Sequence, residues 1–445
     1  MDGLQTGGAL LLLTQYMQPS SFTPLVFVPL LFFGMSGLLS GNGSWAQESS
    51  AGQISGHTDV SLCSLSREAL NGASAVRGLE PRAAVPCVVE DKAAVTQFIH
   101  ETIREDLPPQ KLVNEEVAYK AIGLIPESFD YQHALVDFLV GQIGGYYNPK
   151  KKLFVMAGWL PASVQGGVAV HELTHALQDQ HYNLTVVMNA KKATTDSGLA
   201  ASALVEGDAS AVMFDYERVT AGQDPLRTVS SVDSMLLLQV LGLGFGGDVP
   251  ESLKALLIFP YTSGLRFVHS LLRRGGYADV HKAYGRIPTT TREILHPEEY
   301  AAASFTPQIP QDSELEATPE GVAPVYTDVL GEFGVSTLFR GVTATKDRGP
   351  SAAAGWVGDK LGVFPTNGGV RVISWLTRWE SEDDAREFKT LYSEYLGSLH
   401  RISIDESEVT LSQSRSARLT QRGRDVSLVI TERISTPGAS LKEIQ

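Results

Sequence analysis

His171-Glu172-Leu173-Thr174-His175 stands in the stretch from Gly166 to Ser210, which also holds Glu206-Gly207-Asp208-Ala209. Residues four apart lie on one face of a helix, so His171 and His175 point the same way. Two imidazoles at that spacing can hold one zinc ion, with Glu172 beside the metal where it can take a proton from water. Val168-Ala169-Val170 leads into the motif and Ala176-Leu177 follows it, which predicts a buried helix. Glu206 is the expected third ligand, from a second helix lined by Ala203-Leu204-Val205 and Ala211-Val212-Met213. It is preferred to Asp208, Asp215 and Glu217 because Gly207 would let that helix approach the metal helix closely. Three protein ligands leave a fourth position open, as in catalytic rather than structural zinc sites.

His181 is the rival third ligand. It lies ten residues after His171, the spacing of HExxHxxGxxH. That pattern turns the chain at a Gly, where this sequence has Gln178, a good helix former. A helix that continues through Gln178 carries His181 roughly 15 Å along the axis from His171, too far to share one ion.

The chain has 445 residues, 43% hydrophobic and 19% charged, enough for two or more domains and a large core. A net charge of −14 without a basic patch argues against a nucleic-acid partner. Residues 1–46 read as a signal peptide or an N-terminal membrane anchor. Leu25 to Leu39 is almost wholly apolar, and Ser44-Trp45-Ala46 resembles a cleavage site, although no Lys or Arg precedes the run. The apolar run contains Pro29 and is short for a spanning helix, which favours cleavage and export. Residues 47–90 read as a loosely structured linker, in which Cys63 and Cys87 either form a disulfide or remain two thiols.

The fold class is α+β. Residues 91–305 form a mainly helical domain with a short sheet. In it Leu153 to Met156 is a strand, which either exposes an edge that can pair with an extended peptide or belongs to an ordinary core hairpin. Residues 306–324, with four Pro and little apolar content, are a second linker. Residues 325–445 form a small α+β domain. Its expected elements are a helix over Val329–Phe339, a hairpin of Ala352–Phe364 and Val370–Trp379, a helix over Ser381–Leu396, and strands Val409–Leu419 and Val426–Ile430. Trp356, Trp375 and Trp379 are expected in its core.

Seven blocks carry a resemblance: Gly123–Pro126, Gly145–Pro149, His171–His181, Leu204–Ala209, Pro260–Gly264, Ile294–Pro297 and Gly355-Trp356. With them the chain resembles zincin metallopeptidases of the Glu-ligand (gluzincin) type, and more narrowly a group of exported bacterial HExxH proteins. The resemblance implies a zincin-like protease fold acting on a peptide or protein, without naming that substrate. Many such enzymes brace a zinc-binding His with an Asp four residues after the Glu ligand. Here that position is Ser210, and Asp208 is the alternative brace, although it faces another side of the helix.

The expected chemistry is hydrolysis of a peptide bond. Zinc on His171, His175 and Glu206 activates water, and Glu172 is the general base. Tyr261 and His296 are the expected candidates for a donor to the oxyanion. The alternative is a zinc-binding scaffold or binding protein with little turnover.

Overall fold

The computed structural model describes residues 59–106, 109–134, 144–189, 194–236, 249–365, 369–402 and 409–434. The expected signal or anchor, residues 1–46, lies outside them. The described part is α+β, largely helical with two sheets. It begins with α1 (Asp59–Arg77), β1 (Cys87–Glu90), α2 (Lys92–Asp106) and α3 (Pro109–Ala121). β2 (Gly145–Asn148) and β3 (Leu153–Ala157) follow, then α4 (Ala162–Tyr182), α5 (Leu184–Asn189) and α6 (Thr195–Thr220). Next come α7 (Glu251–Gly275), α8 (Tyr277–Gly285), α9 (Thr291–Leu295) and α10 (Pro297–Ala302).

In the region expected as a linker over 47–90, residues 47–58 lie outside the described residues, and the rest holds α1 and β1 instead. Its composition hid this. α1 packs through small residues: Ala69 and Ala73 are buried, and a Cβ on Gly72 would lie 2.3 Å from the Tyr216 ring. Few large apolar side chains are needed on α1 when its backbone lies directly against the Tyr216 ring. Cys63 and Cys87 are joined in a disulfide that ties α1 to β1.

β1, β3 and β2 form a small sheet in that order, β1 parallel and β2 antiparallel to β3. The strand at Leu153 is therefore central, and the expected free edge at Leu153–Met156 does not exist. Both of its sides are already hydrogen-bonded. Alternation along the strand cannot reveal this, because it reports which face is buried and not which edge is paired.

α6 starts at a capping box, in which Thr194 and Ser197 satisfy each other's backbone N–H groups. α6 and α7 then cross backbone to backbone. A Cβ on Gly207 would lie 2.2 Å from the Gly264 carbonyl oxygen, and a Cβ on Gly264 would lie 2.3 Å from the Ala203 carbonyl oxygen. Gly207 does permit a close helix approach, but toward α7 rather than toward the metal helix α4 as expected. The motif could not identify the partner, since a Gly is needed at any tight crossing. By length and composition α7 is apolar enough to cross a bilayer, yet most of it is buried within the protein against α6.

The remaining elements are β4 (Tyr326–Asp328), α11 (Gly331–Thr337), α12 (Gly349–Ala353), β5 (Trp356–Pro365), β6 (Val370–Trp379), α13 (Glu382–His400), β7 (Val409–Ser412), β8 (Arg415–Arg422) and β9 (Asp425–Arg433). The strand expected over Val409–Leu419 is two strands, with a turn between Ser412 and Arg415. The sheet order is β4-β5-β6-β9-β8-β7, antiparallel throughout. α13 starts at a capping box of Ser381 and Asp384 and buries Phe388, Leu391, Tyr392 and Tyr395. Trp356, Trp375 and Trp379 are fully buried.

Residues 306–324 are not a free linker. Gln308 N–H donates to the Val357 carbonyl at 2.7 Å, and Leu315 packs on Phe364, Val372, Leu376 and Val429. One apolar core runs through both halves. Tyr392 and Tyr395 hydroxyls donate across them to the Ile122 and Gly123 carbonyls, at 2.8 and 2.7 Å.

Candidate metal centre

α4 carries His171, Glu172 and His175, and α6 carries Glu206. The structure brings the three expected ligands together. His171 Nε2 lies 3.1 Å from Glu206 Oε2 and 3.1 Å from His175 Nε2, and His175 Nε2 lies 3.5 Å from Glu206 Oε2. A tetrahedral ion about 2.1 Å from each donor separates two donors by about 3.4 Å. The cluster therefore has the dimensions of a zinc site and could hold a metal ion. Among the described residues no other His, Cys, Asp or Glu joins it.

The donors are buried, His171 at 2%, His175 at 0% and Glu206 at 2% exposure. Electrostatics in the metal-free chain follow from this. Burial pulls His175 down, but the charge and hydrogen bond of Glu206 outweigh it and lift His175 to about 9. Burial pushes Glu206 up, but the two imidazoles prevail and hold it at about 2. His171 is lowered, chiefly by burial.

Glu172 is fully buried. Its Oε2 accepts the Tyr147 backbone N–H at 2.9 Å, while Oε1 has no hydrogen-bond partner. Burial raises its carboxyl to about 8; Glu206 adds to the rise, and His175 and the Tyr147 N–H oppose it. Tyr147 is doubly anchored, because its hydroxyl donates to Asp179 at 2.8 Å, also on α4. The edge of β2 therefore fixes the rotamer of Glu172.

His181 is not part of the cluster. α4 runs on to Tyr182, and the His181 ring Nε2 lies 2.8 Å from the Glu80 carbonyl. His296 caps the junction of α9 and α10, where its Nε2 lies 2.9 Å from Glu332. That ring nitrogen faces the Glu332 carboxylate. Tyr261 is buried in α7, one turn before Gly264 and so on the side that meets α6.

Two features of the surroundings were not foreseen. Gln178 Oε1 accepts from His175 Nδ1 at 2.8 Å, so the brace comes from α4 itself. A residue three positions after His175 on one helix is within reach, and that spacing was the available signal. Ser210, where the brace was sought, has its Oγ buried without a partner. Asp208 instead accepts from Gln178 Nε2 at 3.1 Å, from Tyr284 at 3.0 Å and from Arg77 Nε at 2.7 Å. Arg77 lies far away in sequence, and no motif marks it.

Residues 321–440 match a family described as a domain of unknown function (DUF8575). That span holds the six-stranded sheet and α13, well under half of the chain, and does not include the metal centre. No curated protein and no solved structure matches the chain.

Proposed function

We propose that this chain is an exported zinc-dependent metallopeptidase of the zincin type, acting on a peptide or protein. The observation that carries the proposal is the free Oε1 of Glu172, buried beside a three-donor cluster. A buried carboxylate oxygen without a partner is costly unless it has a task. Zinc held by His171, His175 and Glu206 would supply a polarised substrate carbonyl and a water made nucleophilic near neutral pH. Glu172 Oε1 is the base that takes the proton and later returns it to the leaving amine. The Tyr147 N–H holds the other oxygen, so that the basic lone pair stays aimed inward. Tyr261 is retained as a candidate for an oxyanion donor. The Cys63–Cys87 disulfide supports export to an oxidising compartment.

A second reading, a zinc-binding scaffold with little turnover, is favoured by one observation: all three donors are at most 2% exposed. The first test is metal content of the purified protein beside His175→Ala and Glu206→Ala. About one zinc per chain is expected in the wild type and none in either variant, because two ligands hold zinc poorly. A folded wild type that takes up no supplied zinc would overturn both readings.

A further inference from the structure

Gln178 deserves its place in the site for a chemical reason. An amide can face His175 with its oxygen or with its NH2, and the surrounding groups decide which. Gln178 Nε2 meets the Val205 carbonyl at 3.0 Å and Asp208 Oδ2 at 3.1 Å. A carbonyl and an ion-paired carboxylate only accept, so the NH2 must lie on their side. The amide oxygen is then left facing His175 Nδ1 at 2.8 Å. An acceptor there requires a proton on Nδ1, which leaves Nε2, on the side of His171 and Glu206, as the nitrogen that can give up its proton and ligate a metal.

Asp208 is held in turn by both of its oxygens. Arg77 Nε lies 2.7 and 3.1 Å from Oδ1 and Oδ2, and the Tyr284 hydroxyl donates to Oδ2 at 3.0 Å. Arg77 and Asp208 are 2% and 0% exposed, so the pair is dry and strongly directional. Arg77 is the last residue of α1, the helix tied to β1 by the disulfide.

We propose that Arg77, Asp208 and Gln178 form a buried positioning relay that fixes His175 as the Nδ1–H tautomer and thereby aims its Nε2 at the metal. The relay makes α1 part of the metal centre. It rests on the zinc reading above. All three are positioning residues and none touches the reacting atoms.

The test uses the full chain, with zinc alone as the probe. Zinc affinity is measured by competition with a chromophoric chelator, and the His175 ring nitrogens are read by 15N NMR. The zinc-loaded wild type should show His175 ligating through Nε2 with a slowly exchanging Nδ1–H. Gln178→Met, nearly isosteric, should weaken zinc binding about 10–100-fold and remove that protected N–H signal. The paired variant Arg77→Met/Asp208→Leu leaves Gln178 in place and removes both charges together, so it avoids an orphaned buried ion. It should weaken binding at least about tenfold and release the Nδ1–H to exchange. Ligation of wild-type His175 through Nδ1 would overturn the relay, whether or not the variants fold. So would unchanged affinity and an unchanged Nδ1–H signal in either variant, and the zinc reading would then stand. A wild type that binds no zinc would remove the zinc reading and the relay together.

Discussion

Glu172→Gln is expected to abolish peptide hydrolysis while leaving zinc bound. The geometry makes the substitution unusually selective. A Gln side chain can keep its carbonyl oxygen on the Tyr147 N–H, where Glu172 Oε2 now accepts at 2.9 Å. Its NH2 then replaces the unpartnered Oε1, and an NH2 cannot take a proton from water. General bases contribute about 10²–10⁴-fold, so kcat/KM on a cleaved peptide should fall by at least about a hundredfold. Zinc content should match the wild type, since Glu172 is not among the donors. Equal cleavage by the two proteins would exclude Glu172 as the base. A wild type that binds zinc and cleaves nothing in a broad peptide library would favour the scaffold.

The same variant carries a pH signature in the zinc-free protein. Burial raises the Glu172 carboxyl from 4.5 to about 8, so the folded chain holds this proton more tightly than the unfolded chain does. Its contribution to stability is complete below pH 4.5 and is lost as the pH rises through about 8. Zinc-free wild type should therefore lose more stability between pH 5 and pH 9 than zinc-free Glu172→Gln, which has no such group to ionise. Thermal melts of both at the two pH values measure the difference, and parallel losses would refute the assignment.

Gly207→Ala is expected to destabilise the protein and to loosen the metal site. Helix propensity alone argues the reverse, because Ala is favoured over Gly by about 1 kcal/mol inside a helix. The crossing decides the sign. The new Cβ would lie 2.2 Å from the Gly264 carbonyl oxygen, and backbone cannot rotate away as a side chain can. α6 and α7 must separate, and overpacking of this kind costs about 1–3 kcal/mol. Glu206 precedes Gly207 directly, so any displacement of α6 also disturbs donors now 3.1 to 3.5 Å apart. We expect a lower melting temperature and at least about tenfold weaker zinc binding, since the donors must keep their distances to within about 0.2 Å. Gly264→Ala, which meets Ala203, should behave alike. A variant as stable as the wild type with full zinc affinity would show that the crossing has room to spare.

What the sequence determined by itself is the local and the periodic. The His171–His175 spacing fixed a shared face because a helix repeats every 3.6 residues, and Gln178 in place of a Gly kept that helix running past His181. Alternation and turn residues marked the Val370–Trp379 strand, and helical spacing of apolar residues marked α13. These elements carry their signals in neighbouring residues. Tertiary structure alone decided what depends on contacts between distant segments. α1 was hidden because small residues pack closely without a hydrophobic stripe. The strand at Leu153 became central because β1 and β2 came to its two edges, and edges leave no mark on a side-chain pattern. Gly207 was legible as a close approach, but its partner, Gly264, was not. Arg77 reaches His175 through Asp208 and Gln178, and a buried ion pair between α1 and α6 has no signature in either segment. It exists only once folding has removed the water that would otherwise solvate both charges.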